Sequence, residues 1–385
     1  MLTKSIKLKN FKYRKNNKNI FNKLKLILKN KSETIKSLSK NYKDNYKYKK
    51  ISQITRNKDI RLIGMGGSIL GSKAIFNFLK EKSKKNFVFV DNLISKKEKY
   101  KNNQINLIIS KSGNTLETIT NVNLLIKKND KNIFITEKKP SYLYNLAKKL
   151  KSEVIEHNNF IGGRFSVLSE VGMLPAELMG LSPKKFRQFD NLVKSKKFIN
   201  QLVCSTGAIL HLHKKKKFNS IILNYDEKSH YLFEWYQQLI AESLGKKGKG
   251  ILPVISEMPK DNHSMMQLYL DGLKNNFFTF FSFNEKNFDQ LNSKILLPSH
   301  KYLKFYSSNK IILKQKKATE IVFSKKNIPF RSFEINKRDE KTLGELFCYF
   351  ILETILLGRA MNVNTFDQPS VELIKQETKK QFSSR

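Results

Sequence analysis

The chain has few cysteines, few arginines and no long apolar run. Cys204 and Cys348 are the only cysteines in 385 residues, which excludes a disulfide framework or zinc knuckle and favours a reducing compartment. No apolar stretch approaches the ~20 residues that a membrane span requires. The basic N-terminus lacks an apolar segment followed by a small-residue cleavage site. The sequence therefore predicts a soluble, cytoplasmic protein without a signal peptide or membrane partner.

Basic residues dominate the composition, with 74 Lys and Arg against 32 Asp and Glu and a formal net charge of +42. Only nine of the basic residues are arginine, the residue that specific nucleic-acid readers favour. Residues 1–50 carry a large share of the excess. We interpret the lysines mainly as solvated surface, with contact to an anionic surface as the lesser alternative, and we expect no specific nucleic-acid partner. With 39% hydrophobic residues, including 28 Phe and 14 Tyr, the chain can bury a core.

Short apolar runs alternate with amphipathic ones, which is typical of parallel α/β sheets with right-handed crossovers. We expect two doubly wound α/β/α domains with helical terminal extensions. The expected ranges are a basic N-terminal cap (1–50), a first domain (51–175), a second domain (176–362) and a C-terminal arm (363–385). The strands are predicted at 60–65, 87–93, 105–110, 132–137, 153–157, 218–225, 251–256, 277–283 and 331–336. The main helices are predicted at 69–80, 115–127, 141–150, 228–243, 263–275 and 340–362, the last of them buried.

Two loops follow predicted strands and open predicted helices. In GMGGSILGS (64–72), the glycines let backbone N–H groups approach a ligand at the positive end of a helix. The spacing is not GxGxxG, so it does not predict a dinucleotide site. In SKSGNTLET (110–118), hydroxyls and backbone donors stand beside Lys111 at a helix start, which suits a phosphate monoester. A capped helix without a ligand accounts for the same residues.

Two further segments carry candidate acid–base and oxyanion groups. GGRFSVLSEVG (162–172) places Arg164 after two glycines, where a permanent guanidinium charge could hold an oxyanion. YQQLIAESLG (236–245) puts Gln238 and Glu242 on one helix face, where Glu242 is either a general base or an ordinary surface glutamate.

The last two segments are NHSMMQLYLDG (262–272), with His263 at an expected helix start, and FDQPSVELIK (366–375), a turn followed by a helix with Lys375. No histidine spacing suggests a metal site, and we expect a protein that uses neither a metal nor a cofactor.

These segments, in this order, resemble the glucose-6-phosphate isomerase family over about residues 60–375. The resemblance implies two sugar-isomerase (SIS-type) domains, a homodimer with active sites at the subunit interface, and reversible isomerisation of glucose 6-phosphate to fructose 6-phosphate. That reaction proceeds by ring opening and a cis-enediol and serves glycolysis and gluconeogenesis. The roles implied by position are a phosphate cradle (Ser110, Lys111, Ser112, Thr115), a sugar-lining loop (Gly67, Ser68), an enediolate-stabilising cation (Arg164), a base (Glu242) with an adjacent amide (Gln238), ring-opening groups (His263, expected from the partner subunit, and Lys375) and a substrate-holding amide (Gln368).

The chain departs from the family pattern where MPKDNHS (258–264) replaces the usual GTNxQHS, which affects how His263 is presented. Two alternatives belong to the same fold: a broader phosphosugar isomerase that also accepts mannose 6-phosphate, and a phosphosugar-binding protein without catalysis. The latter would keep SKSGNT but has no need of Glu242 or Lys375. A nucleic-acid binder is a fourth hypothesis, and no helix-turn-helix or zinc-finger pattern supports it.

Overall fold

Two five-stranded α/β sheets form the frame of the protein. A computed structural model describes residues 1–13, 17–56, 58–94, 104–285 and 290–383. Within these ranges the strands are β1 (Ile6–Lys9), β2 (Asp59–Gly64), β3 (Phe87–Val90), β4 (Gln104–Ile109), β5 (Asn132–Thr136), β6 (Glu153–Glu156), β7 (Asn219–Asn224), β8 (Leu252–Glu257), β9 (Asn276–Phe283) and β10 (Phe330–Ile335).

Helices cover both sheets and connect them. In the same ranges they are α1 (Lys18–Lys29), α2 (Glu33–Lys36), α3 (Tyr48–Ile54), α4 (Leu70–Phe78), α5 (Leu116–Leu125), α6 (Tyr142–Lys149), α7 (Glu170–Leu178), α8 (Pro183–Phe186), α9 (Phe189–Val193), α10 (Lys196–Lys214), α11 (His230–Leu244), α12 (Met266–Asp271), α13 (Ser308–Lys325), α14 (Glu340–Met361) and α15 (Pro369–Ser383). No helix of the described ranges is both long and apolar enough to cross a bilayer.

The first sheet has the strand order β3-β2-β4-β5-β6, and all of its pairs are parallel. The chain leaves β2 toward β3 on one side and later adds β4 on the other side. The direction of winding therefore reverses between β2 and β4, and such a switch point opens a crevice at the carboxyl ends of the two strands. The loops after Gly64 and Ile109, which are paired in the sheet, lie at this crevice.

The second sheet has the order β1-β10-β9-β7-β8, with β1 antiparallel to β10 and the other pairs parallel. Strand β9 (NFFTFFSF) is buried at every position, as expected for a central strand covered on both faces. In β1, Ile6 and Leu8 are buried whereas Lys7 and Lys9 are exposed. This alternation is typical of an edge strand with one solvent face, and the sequence did not predict it.

The basic N-terminal segment packs closely on both halves of the chain. Besides β1, it buries apolar side chains of α1 and α2, among them Leu24, Ile27 and Ile35. Farther on, Tyr46 donates its hydroxyl to Glu177 at 2.8 Å, and Asp44 pairs with buried Arg187 at 2.5 Å. Many lysines of residues 1–50 therefore lie on the exposed sides of elements whose other sides are core.

Helix α14 is buried along nearly its whole length, as the sequence predicted, and α11 packs between it and α4. Its Glu353 forms a two-pronged ion pair with Arg331 of β10, at 2.5 and 3.0 Å, and neither side chain is accessible to solvent. A buried pair of this kind is held in register by its hydrogen bonds, because an unpaired charge in the core is costly.

The predicted strands from residue 60 onward are all confirmed, with ends that differ by at most three residues. The fold class, α/β with mainly parallel sheets, is also confirmed. One helix was wrong at both ends: it was predicted over 263–275, but α12 runs only over Met266–Asp271, and His263 lies in a turn that follows a 3-10 segment at 260–262. Helices α8, α9, α10 and α13 were not predicted.

Candidate active site

The candidate site lies at the switch point of the first sheet, where the loop after β2 meets α11 and the loop after β4 lies beside it. Gly66 has a φ of +51°, and a Cβ at this position would lie 2.7 Å from Nε2 of Gln238. A Cβ on Gly67 would lie well under 3.0 Å from the backbone of Gly163 and Arg164. Both glycines are required because the loop after β2 packs directly on α11 and on the arginine segment (Gly163–Leu168, which carries Arg164).

The second loop presents hydroxyls at the start of α5. The Oγ of buried Ser110 lies 3.0 Å from Oγ1 of Thr115, which is the residue before the helix. Ser112 is exposed and accepts a hydrogen bond from the backbone N–H of Asn114 at 3.2 Å. Gly113 has a φ of +67°, which turns the loop into the helix. The loop thus gathers hydroxyl groups where the positive end of the α5 dipole favours an anion.

Lys111 supplies a cation on the same loop. Its Nζ donates to the carbonyl of Asn159 at 2.7 Å and lies 4.0 Å from Oε1 of Glu137. Burial lowers the pKa of the Lys111 ammonium, and Lys139 lowers it further, against the opposing effect of Glu137. The lysine is therefore held by the loop before the arginine segment, beside the hydroxyls.

Arg164 is buried, and all five of its N–H groups are hydrogen-bonded within the chain. Its Nε donates to Oγ of Ser243 at 2.9 Å, and its Nη1 donates to Oε2 of Glu242 at 3.1 Å and to Oε1 of Gln368 at 2.6 Å. Its Nη2 donates to the carbonyls of Thr365 at 2.5 Å and Asp367 at 3.0 Å. Burial lowers the pKa of the guanidinium, against the opposing effect of Glu242, but an arginine side chain stays protonated in proteins.

Glu242 is the carboxylate at the centre of this cluster. Its Oε1 accepts from Nε2 of Gln238 at 2.9 Å, one turn earlier on α11, while its Oε2 faces Arg164. The Glu242 side chain remains 28% exposed, so a ligand in the crevice can reach it. The indole N–H of Trp235 donates to the Arg164 carbonyl at 3.1 Å and ties α11 to the arginine segment.

Lys246 is a site residue that the sequence reasoning did not single out. Its Nζ donates to the carbonyls of Ser243 at 3.1 Å and Asn364 at 2.6 Å and pairs with Asp367 at 3.2 Å. Together with Arg164 it fixes the 364–368 segment, which carries Gln368. Two of the partners of Lys246, Asn364 and Asp367, lie about 120 positions away in the chain, and no local pattern could have indicated them.

The structure brings together Gly67, Arg164, Gln238, Glu242 and Gln368 by direct contacts, and it places Ser68, Ser110, Lys111, Ser112 and Thr115 in the two adjoining loops. It does not bring His263 or Lys375 to this cluster. Lys375 lies on exposed α15, where it pairs with Glu372 at 2.6 Å.

His263 lies at the opposite end of α11 from Glu242. Helix α11 begins at His230, whose Nδ1 is 2.5 Å from Oε1 of Glu257, the last residue of β8. His263 follows six residues later in an exposed turn. Since Glu242 lies twelve residues along the helix from His230, the two ends are separated by about 18 Å at 1.5 Å per residue. One chain alone therefore does not place both groups in one site.

In the described part of the chain, no three His, Cys, Asp or Glu side chains gather as a candidate metal site.

Solved structures share this fold. A hypothetical protein from Thermus thermophilus superposes with a TM-score of 0.82 and 22% identity, over 96% of this chain and 95% of that chain. A glucose-6-phosphate isomerase from Chlamydia trachomatis gives 0.72 and 20% identity, over 87% and 72%. At these identities the likeness shows the fold alone.

Comparison of the amino-acid sequence identifies the family. The model of the phosphoglucose isomerase family matches residues 16–252. A glucose-6-phosphate isomerase from Methanocaldococcus jannaschii is 34% identical over 334 residues, which cover 82% of each chain. The chain belongs to the phosphoglucose isomerase family.

Proposed function

We propose that this protein interconverts glucose 6-phosphate and fructose 6-phosphate by ring opening and proton transfer through a cis-enediol. The observation that carries the proposal is the hydrogen bond of 3.1 Å from Arg164 Nη1 to Glu242 Oε2. It lies at the switch point at which the loop after β4 presents its hydroxyl groups. Aldose–ketose isomerisation needs a phosphate anchor, a carboxylate base and a cation that faces the developing oxyanion. Family membership, with a relative named for this activity, supports the same reaction.

The sugar phosphate is proposed to bind through its phosphate in the loop after β4. Ser110, Ser112 and Thr115 offer hydroxyls at the start of α5, and Lys111 adds a positive charge. Gly67 and Ser68 then line the sugar from the neighbouring loop. Anchoring the phosphate holds the reacting carbons at a fixed position relative to Glu242, which lowers the entropy cost of the proton transfer.

Glu242 is the proposed base that moves a proton between C1 and C2. Gln238 and Arg164 each hold one oxygen of the Glu242 carboxylate by a hydrogen bond and so fix its orientation in the crevice. Because all five Arg164 N–H groups already have acceptors, an enediolate oxygen must replace one of them. Gln368 is the neutral, partly exposed side-chain acceptor in this set. We therefore propose that Gln368 turns from Arg164 to the substrate when the sugar binds.

His263 and Lys375 are the proposed ring-opening groups, and we propose a homodimer in which His263 comes from the partner. The separation of about 18 Å along α11 supports this, because the His263 turn and Glu242 lie at opposite ends of one helix. Exposed apolar side chains on α15, namely Leu373 at 64% and Ile374 at 70%, also favour association with a second copy.

A coupled assay tests the activity. Fructose 6-phosphate is supplied, and glucose 6-phosphate is detected through NADP reduction by glucose-6-phosphate dehydrogenase. Wild type is expected to turn over, and Glu242→Gln is expected to lose at least about 1,000-fold in kcat, since the base is gone. Glu234→Gln, on the same helix two turns earlier, is the matched control. No turnover by wild type, or full turnover by Glu242→Gln, would contradict the proposal.

Subunit complementation tests the shared site. Glu242→Gln and His263→Ala should each have strongly reduced activity, but a mixed dimer would contain one site with both native residues. Random exchange of subunits should therefore restore about a quarter of wild-type activity. The control pair is Glu242→Gln with Arg164→Lys, whose residues come from the same chain and should not complement. Equal recovery in both pairs, or none in the first, would exclude the shared arrangement.

Three expectations from the sequence stay predictions: a domain division at residues 50, 175 and 362, a role in glycolysis and gluconeogenesis, and a cytoplasmic location.

A further inference from the structure

A carboxylate holds together the turn that carries His263. Asp261 lies between the end of β8 and the start of α12, and its Oδ2 accepts from Oγ of Ser256 at 2.9 Å and from the backbone N–H of Glu257 at 2.8 Å. Its Oδ1 accepts from Oγ of Ser264 at 3.0 Å. One carboxylate therefore bonds to the strand end before the turn and to the residue directly after His263.

Asp261 is suited to remain ionised in this position. Its side chain is only 14% exposed. Burial raises the pKa of the carboxyl, but the hydrogen bonds from Ser256, Glu257 and Ser264 outweigh it and lower the pKa below its usual value. All three donors point at oxygens of the charged form, which makes these bonds stronger than neutral ones.

The strand end to which Asp261 is tied is itself fixed. Glu257 accepts from Nδ2 of Asn224 at 3.1 Å on the neighbouring strand and contacts His230 Nδ1 at 2.5 Å at the start of α11. The turn is thus connected through Asp261 and Glu257 to both the second sheet and the helix that bears Glu242.

His263, in contrast, has no side-chain hydrogen bond to the described residues, and its imidazole is exposed. Its backbone N–H donates to the Lys260 carbonyl at 3.1 Å. Because the ring is not held by a partner of its own, its position depends on the backbone of the turn, and that backbone depends on Asp261.

We propose that Asp261 is a positioning residue for the ring-opening reaction: it holds the 258–265 turn so that His263 is presented to the sugar ring. This inference rests on the proposed function and on the role of His263 in it. Asp261 belongs to the MPKDNHS segment, in which this chain departs from the usual GTNxQHS.

A double-mutant cycle tests this inference. Activity with fructose 6-phosphate, whose ring also opens spontaneously in water, is measured for wild type, Asp261→Ala, His263→Ala and the double variant. If Asp261 acts through His263, Asp261→Ala lowers kcat/KM by about 10- to 100-fold in the wild-type background, because a displacement of about 1 Å has this effect. In the His263→Ala background the same change should cost less than about twofold.

The conservative variant gives a second readout. In Asp261→Asn, one oxygen can still accept from Ser256 and Glu257, and the amide can donate to Ser264, so kcat/KM should stay within about threefold of wild type. Asp271→Ala, which removes an exposed carboxylate from α12, is the matched control and should be fully active. Should the alanine variant not fold, Asp261→Ser, which keeps one acceptor oxygen, replaces it in the cycle.

The outcomes separate this inference from the proposed function. If wild type does not isomerise fructose 6-phosphate, the proposed function fails and the inference fails with it. If wild type is active but Asp261→Ala retains full activity, or loses the same factor with and without His263, only the positioning role is overturned. A loss in Asp261→Asn equal to that in Asp261→Ala also overturns it, because the hydrogen bonds would then not be what matters.

Discussion

The packing of Gly67 against the arginine segment yields a sharp prediction about activity. A methyl group on Gly67 would fall well under 3.0 Å from the backbone of Gly163 and Arg164, atoms that cannot rotate away. Gly67→Ala must therefore push the two segments apart by about 1 Å, and a displacement of this size at a catalytic group lowers kcat by about 100-fold. Overpacking of this kind costs about 1–3 kcal/mol of unfolding free energy, so the protein should still fold.

Gly163 provides the matched control from the other side of the same contact. A Cβ there would meet its nearest atom, the Cα of Gly67, at 3.8 Å, which is ordinary van der Waals contact. Gly163→Ala should therefore retain activity within about threefold and lose less than about 1 kcal/mol of stability. Coupled-assay kinetics and urea unfolding of both variants measure these effects. Equal activity losses in the two variants, or wild-type kcat in Gly67→Ala, would refute the reasoning.

Three further predictions concern stability, pH and substrate binding. Arg331→Met alone should lower the unfolding free energy by about 3–5 kcal/mol, because it leaves Glu353 buried and unpaired. The double variant Arg331→Met/Glu353→Leu should regain most of this free energy in urea unfolding. No recovery in the double variant would contradict the prediction. Burial lowers the pKa of His157 from 6.5 to about 4, so the unfolded chain binds a proton that the folded chain does not between these pH values. The unfolding free energy should fall by roughly 3 kcal/mol as the pH drops through this window, a loss that His157→Gln should lack; parallel pH curves for both proteins would contradict this. Ser110→Ala should raise KM for the sugar phosphate by at least about tenfold, because it removes a hydroxyl that donates a hydrogen bond to the phosphate. Ser299→Ala, at an exposed position, is the control. An unchanged KM in Ser110→Ala would exclude Ser110 from the phosphate site.

Most of the sheet framework could be predicted because the central strands are continuous apolar runs. Strands such as β4 and β9 are buried on both faces, and this leaves a pattern that only a parallel or central strand satisfies. Strand β1 was not predicted, because in its four residues, IKLK, apolar side chains alternate with lysines over too short a stretch. The strand pairs with β10, which lies more than 320 positions later in the chain. Local sequence does not carry such a long-range pairing.

The site was predicted in part, for a related reason. The ordered motifs indicated Arg164, Gln238 and Glu242, and the fold brings these three into contact. The sequence could not show that every N–H of Arg164 already has an acceptor, since two of these acceptors are backbone carbonyls of the 364–368 segment. It also could not show that α11 separates Glu242 from the His263 turn, because that depends on the helix direction relative to the sheet.

The basic composition has a modest structural explanation. Lys111 and Lys246 lie at the site, with contacts to carbonyls and carboxylates. In the N-terminal 50 residues, lysines alternate with or flank buried apolar side chains, as Lys7 and Lys9 do beside Leu8. The charge is therefore compatible with a solvated surface around an ordinary core.

The central claim is that the carboxylate of Glu242 transfers a proton between C1 and C2 of the open-chain sugar phosphate. Conversion of fructose 6-phosphate in D2O, followed by NMR of the glucose 6-phosphate formed, tests it directly. The proton on the Glu242 carboxyl can exchange with solvent while the enediol is bound, so at least part of the wild-type product should carry deuterium at C2. With Glu242→Gln, neither product nor exchange should rise above background. Formation of product by Glu242→Gln at the wild-type rate would contradict the claim, because no carboxylate base would then be needed.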